Sequence, residues 1–172
     1  MFRLYPQFLF LILFAFLFSS CSDSNANQEN KTELNKKTVS IIYGMFESGN
    51  TEGIENYVHP YMIDYTLDPA IMQKGIEGLV ELISVNKQAF PDLKIKVYNM
   101  SAEGDYVYAH FNFNGTYTGS LGNIPSSGRK IDIDGVDVIR LKDGKIVEHW
   151  GYWDTQKFLI QMGRTNPDNG LE

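Results

Sequence analysis

Residues 131–153 read IDIDGVDVIRLKDGKIVEHWGYW, and how this stretch pairs with itself decides the fold. Apolar and polar residues alternate on both sides of Asp143-Gly144, a dipeptide that favours a tight hairpin turn. On the first arm Ile131, Ile133, Asp137 and Ile139 share one face; the second arm runs from Ile146 to Trp153. A two-residue loop at Asp143-Gly144 would put Asp137 opposite Trp150 and Ile139 opposite Glu148. A three-residue loop, Lys142 to Gly144 with Gly144 left-handed, shifts the pairing by one. Ile139 then faces Val147, Asp137 faces His149, Gly135 faces Gly151 and Ile133 faces Trp153. This second register gives one coherent face: apolar at both ends, an acid and a base between, and two glycines leaving space. It is the expected one, since a slip of one residue would scramble that face.

Upstream the two-residue period continues. Val107, Ala109, Phe111 and Phe113 alternate with Tyr106, Tyr108, His110 and Asn112, and Leu93, Ile95 and Val97 alternate with Lys94, Lys96 and Tyr98. Further upstream the period becomes helical. Leu34, Thr38, Ile41, Ile42, Met45 and Phe46 form one stripe, ended by Gly49-Asn50. A short second helix capped by Thr51 would carry Ile54, Tyr57 and Val58, and a third would carry Ile76, Leu79, Val80, Ile83 and Phe90, ended by Pro91. Tyr61 to Leu67 is a candidate strand. After the last strand, Asp154 is placed to cap a helix from Thr155 to Met162 that stops at Gly163. Helices on one side of a mostly antiparallel, strongly curved sheet make an α+β fold.

The first residues belong to a different regime. Arg3 precedes an unbroken apolar run, Phe8 to Phe18, of eleven residues. Spanning a bilayer takes about twenty. Ser19, Ser20 and the only cysteine, Cys21, follow. The segment resembles a bacterial lipoprotein signal, cleaved before a cysteine that then carries lipid, although Phe18 stands where Leu is usual; the alternative is an ordinary secretory signal with a stray cysteine. On the lipoprotein reading residues 1–20 are the signal peptide and residues 21–31 a flexible polar tether beginning at lipid-modified Cys21. Ser22 to Lys31 carries no large apolar side chain, which is the composition of a leash. Residues 32–172 are then one domain in the cell envelope, long enough for a real core.

Composition narrows the function classes. The net charge is −6 with no basic run, so the electrostatic footprint of a nucleic-acid binder is missing. One cysteine excludes an internal disulfide and a cysteine-based zinc site, and the three histidines are too scattered for a metal motif. There is neither a phosphate loop nor a G-x-S-x-G elbow, and no cofactor is expected.

The order of elements resembles the cone-shaped nuclear-transport-factor-2-like fold. Five local sequences resemble the SnoaL-like polyketide cyclase family: His59-Pro60, Phe90-Pro91-Asp92-Leu93, Gly115-Thr116-Tyr117-Thr118-Gly119, Ile124-Pro125-Ser126-Ser127-Gly128-Arg129, and the run Arg140 to Trp150. The resemblance covers about residues 36–163. It implies helices on the concave side of the sheet, an interior cavity, and pairing of two chains through the outer face carrying Tyr106, Tyr108, Val136, Val138 and Trp150. In aldol-type cyclases of this family the acid/base is an aspartate two residues after the His of the last strand. That position is Gly151 here, so the group is missing, whereas Asp137 matches a pocket position on the preceding strand that is often polar.

Asp137 and His149 are therefore the candidate catalytic pair. The carboxylate would orient the imidazole and raise its basicity, outweighing the opposite effect of burial. Tyr65, Phe113, Ile133, Ile139, Val147 and Trp153 are the expected substrate-binding residues. His59 and Asp154 are expected to cap or pack, and His110, Glu148 and Trp150 to face away from the cavity. Two functions follow: an enzyme acting by proton transfer on a small hydrophobic molecule, as an isomerase, cyclase or hydrolase, or a tethered module that holds such a molecule unchanged.

Overall fold

The computed structural model describes residues 21–66, 74–121 and 124–164. The expected signal segment, residues 1–20, lies outside them. The elements in order are α1 (Cys21–Ser48), a 3-10 turn (Ile54–Asn56), β1 (Val58–Asp64), α2 (Gly75–Ala89), β2 (Lys94–Glu103), β3 (Tyr106–Thr116), β4 (Lys130–Lys142), β5 (Lys145–Trp153) and α3 (Thr155–Met162). The strands form one mixed sheet in the order β1-β5-β4-β3-β2. Every contact is antiparallel except β1 with β5, which is parallel.

Two expectations are corrected near the N-terminus. Residues 22–31, expected to be an unstructured leash, are helical. No Gly or Pro interrupts the chain between Cys21 and Tyr43, so a helix nucleated by its packed half propagates backward at little cost. Lys31 ties this part to Asp105 at 2.5 Å. The expected second helix is only a single 3-10 turn, with left-handed Gly53 rather than Thr51 at its N-cap. Val58, assigned to that helix, instead opens β1.

The hairpin between β4 and β5 is the third correction. Asp143 and Gly144 both have positive φ, 52° and 76°, the signature of a two-residue turn. Lys142 pairs with Lys145 and Leu141 with Ile146, which is the register that was not expected. A β-bulge then intervenes. Arg140 pairs with Glu148, leaving Val147 as the extra residue, and beyond it Ile139 pairs with His149, Asp137 with Gly151 and Gly135 with Trp153. The inserted residue restores the parity that the shorter turn would have lost. Asp137 and His149 thus share a face as diagonal neighbours rather than as a directly opposed pair.

That face is the concave one. Val107, Ala109 and Phe111 of β3 and Ile131, Ile133, Ile139 and Leu141 of β4 are buried there beneath the helices. Val39, Ile42, Tyr43 and Met45 of α1 and Leu79 and Ile83 of α2 close the same core from above. A second cluster, around Phe90, Leu93, Tyr117, Ile131, Ile133 and Met162, fills the other end, and Phe46, Ile95 and Phe113 touch both. Gly135 has a steric task here. A Cβ on it would lie 2.7 Å from Cζ of Phe111, so only glycine lets that ring lie across β4. Asp154 caps α3 by accepting the Lys157 N–H at 2.8 Å, and Gly163 ends it with φ 79°, both as expected.

Candidate active site

Between the helices and the concave face lies a cavity of about 240 Å³. Its wall is mainly aliphatic and aromatic, and apart from Asn86 its polar groups gather around His149. Nδ1 of His149 lies 3.0 Å from Oδ1 of Asp64, and Nε2 lies 3.2 Å from Oδ1 of Asp137. The Tyr43 hydroxyl donates to Oδ2 of Asp137 at 2.7 Å. Asp64 is steadied by the backbone N–H of Thr66, 2.8 Å from its Oδ1, and the Thr66 hydroxyl oxygen accepts the N–H of Gly151.

Each of these side chains is delivered by a different element. Asp137 and His149 project from β4 and β5. Asp64 is the last residue of β1, whose parallel pairing sets it beside His149. Tyr43 interrupts the apolar stripe of α1, one turn from Val39 and next to Ile42. Gly151 leaves the space that Thr66 and Asp137 occupy: a Cβ there would sit 3.2 Å from Oδ1 of Asp137 and 3.3 Å from Thr66.

The geometry fixes the charge state of the imidazole. A neutral ring would direct one nitrogen lone pair at a carboxylate, whereas an imidazolium offers an N–H to each. Burial pushes the His149 pKa down, but hydrogen bonding and charge from Asp137 and from Asp64 together outweigh it, and the group is raised from 6.5 to about 10. The expected winner, the carboxylate, prevails here with a second carboxylate helping. Burial, and then the charge and hydrogen bond of Asp137, push the Tyr43 hydroxyl well above its ordinary value, so it stays protonated. At neutral pH the cluster consists of two carboxylates, one imidazolium and one neutral phenol.

Of the expected substrate-binding residues, Phe113, Ile133, Ile139 and Trp153 line the cavity. Tyr65 and Val147 do not. Tyr65 is exposed and stacks on Trp150 at 4.8 Å, because Asp64 takes the inward direction and alternation turns its neighbour out. Val147 is the bulge residue, and Ile146 lines the cavity instead. Asp64, Tyr43 and Thr66 are site residues that sequence reasoning missed.

The remaining polar candidates lie outside the cavity. His59 is exposed in β1, where its Nδ1 accepts the Tyr61 N–H. His110 packs on Tyr98 with ring centroids 4.9 Å apart, and Glu148 pairs with Arg140. Tyr106, Tyr108 and Val136 stand exposed on the outer face. Among the described residues, no group of three or more His, Cys, Asp or Glu side chains is arranged to hold a metal ion.

Comparison with known proteins agrees with this architecture. The sequence profile of the SnoaL-like polyketide cyclase family matches residues 37–162. The chain is 29% identical over 129 residues to nogalonic acid methyl ester cyclase of Streptomyces nogalater, a match covering 72% of this chain and 93% of that enzyme. It is 24% identical to an aklanonic acid methyl ester cyclase of Streptomyces peucetius, covering 71% and 86% of the two chains. The solved structure of TsrD from Streptomyces laurentii superposes with a TM-score of 0.70 at 24% identity, covering 77% of this chain and 97% of TsrD.

Proposed function

Since the chain belongs to the SnoaL-like polyketide cyclase family, we propose that it binds a small, mostly apolar molecule in the cavity and rearranges it by proton transfer. Isomerisation and cyclisation fall within that class, and hydrolysis would use the same proton-moving groups with a water molecule as co-reactant. The observation that carries the proposal is His149 held between Asp64 and Asp137 in a mainly apolar wall. An imidazolium cannot act as a base, so the base is a carboxylate, and Asp137, fixed by Tyr43 and His149, has the better-defined orientation. Asp137 takes a proton from the ligand and returns it at another atom. His149 supplies fixed positive charge beside the site where negative charge develops, a stabilisation that is larger in a cavity than in water.

Deuterium exchange tests this directly. Nogalonic acid methyl ester, named for the Streptomyces nogalater relative, is a first probe. In D2O the full chain is expected to speed the exchange of acidic carbon-bound protons, and Asp137→Asn should lower the catalysed rate by about 10²-fold or more. An Asn variant as fast as the parent would remove Asp137 from the reaction.

One observation favours a non-catalytic holder instead: Gly151 stands where the family resemblance implies an aspartate. Under that reading an intact ligand co-purifies with the native protein and no probe turns over.

The site is proposed to work in the cell envelope. Apolar Phe8 to Phe18, then Ser19-Ser20-Cys21, support a lipid-anchored exported protein. Cys21→Ser should move the protein from the membrane to the soluble fraction, and a variant that stays with the membrane would defeat the anchor. Because one acyl chain holds only marginally, stable anchoring calls for more than one.

A further inference from the structure

The hydrogen-bond polarity of the cluster says which ligands the cavity accepts. Both nitrogens of His149 already have a carboxylate oxygen within 3.2 Å, and the Tyr43 hydroxyl is committed to Asp137. The strong donors of the polar corner are therefore consumed within it. The two carboxylates are not exhausted in the same way, because each carries about four acceptor sites. What the corner offers a ligand is chiefly acceptor capacity: apart from the Thr66 hydroxyl, whose oxygen accepts the Gly151 N–H, an entering group that can only accept would meet lone pairs facing lone pairs.

Charge points the same way. Two carboxylates against one imidazolium leave the corner with one net negative charge, and among the described residues no Lys or Arg side chain lines the cavity. A carboxylate ligand would lose its hydration and gain only repulsion. An ammonium would find the right sign, but it would also have to shed a strongly bound water shell in a wall that is elsewhere apolar. A neutral hydroxyl escapes that penalty and still forms a charge-assisted hydrogen bond to a carboxylate. The volume, about 240 Å³, lies just below the range of roughly 300–1,000 Å³ typical of drug-sized ligands.

We infer that the cavity selects a small uncharged ligand whose polar end is a hydrogen-bond donor, a phenol or enol hydroxyl on an apolar body, and that it rejects carboxylate anions. The inference rests on the cavity being the ligand site, as in the proposed function, but not on turnover. It adds a specificity rule: Asp137 and Asp64 read the donor, and the aromatic and aliphatic wall reads the body.

Calorimetric titration of the full chain at neutral pH with four probes of one shape tests it: naphthol, its methyl ether, naphthoate and naphthylmethylammonium. Naphthol should bind about 10- to 100-fold more tightly than the ether, the ratio expected for one hydrogen bond to a charged group. Naphthoate should give no saturable binding, and the ammonium should bind more weakly than naphthol. In Asp137→Asn the preference for naphthol over the ether should shrink towards unity. Equal binding of naphthol and ether, saturable naphthoate binding, or an ammonium that outcompetes naphthol would each overturn the inference, as would failure of all four to bind. Donor-selective binding in a protein that never exchanges a carbon-bound proton would sink the enzyme and leave this rule standing. Proton exchange without donor selectivity would sink the rule alone.

Discussion

Truncating His149 to alanine is expected to abolish turnover and to destabilise the fold by about 3–5 kcal/mol. The size follows from what the side chain leaves behind. Asp64 and Asp137 are nearly inaccessible, and among the described residues His149 is the only positively charged group that the ion pairs place beside either. Removing the shared partner of two buried carboxylates leaves uncompensated charge, which costs more than the pairing itself contributes. Chemical denaturation of the parent and the variant reads the stability, and deuterium exchange with a probe the parent turns over reads the chemistry. Asp64→Asn separates the two effects. It keeps the shape and one ion pair, so the fold should lose less, while the imidazole is held from one side only. A His149→Ala protein with parental stability and rate would show the cluster to be inert filler.

The second large effect concerns pH. The imidazole titrates at about 10 in the folded chain against about 6.5 in an unfolded one, so between those values the folded state binds the additional proton. Its contribution to stability is therefore complete below about 6.5, declines as the pH rises through the window, and is gone above about 10. The slope is at most about 1.4 kcal/mol per pH unit. Taking the difference between parent and variant removes the contributions of groups common to both. The difference in unfolding free energy between the parent and His149→Ala should thus shrink steadily from neutral to alkaline pH. A difference that stays constant across the window would mean that the ring is already neutral at its lower end.

The parts of this structure legible in the sequence are those set by local periodicity. The alternation of β3 and β4 placed Val107, Phe111, Ile133 and Ile139 on the concave face, and the caps at Asp154 and Gly163 bounded α3 correctly. Asp137 and His149 were brought together for an incomplete reason. The turn is the shorter one, and the bulge at Val147 makes up the missing residue. Turn chemistry is written locally in Asp143-Gly144, whereas a bulge answers to sheet curvature and leaves no comparable mark. Asp64 was hidden for a different reason. It meets His149 through a parallel pairing between strands far apart in sequence, with no turn whose length could set the register. Tyr65, expected at the cavity, is turned outward onto Trp150 by alternation. Tyr43 did carry a signal, a hydroxyl inside the apolar stripe of α1, but nothing in that helix says which strand residue the hydroxyl will meet. The helix at residues 22–31 shows the limit of composition alone, since a polar segment without Gly or Pro takes its conformation from the packed helix that it extends.

The cavity wall carries an imidazolium clasped by two carboxylates. The ring nitrogens of His149 report it directly in a ¹⁵N NMR titration of the full chain, with His149→Ala identifying the signal. Two protonated ring nitrogens are expected at neutral pH, with a titration midpoint near 10 that moves down in Asp137→Asn and again in Asp64→Asn. A His149 that titrates at or below 6.5, with one bare nitrogen at neutral pH, would contradict it.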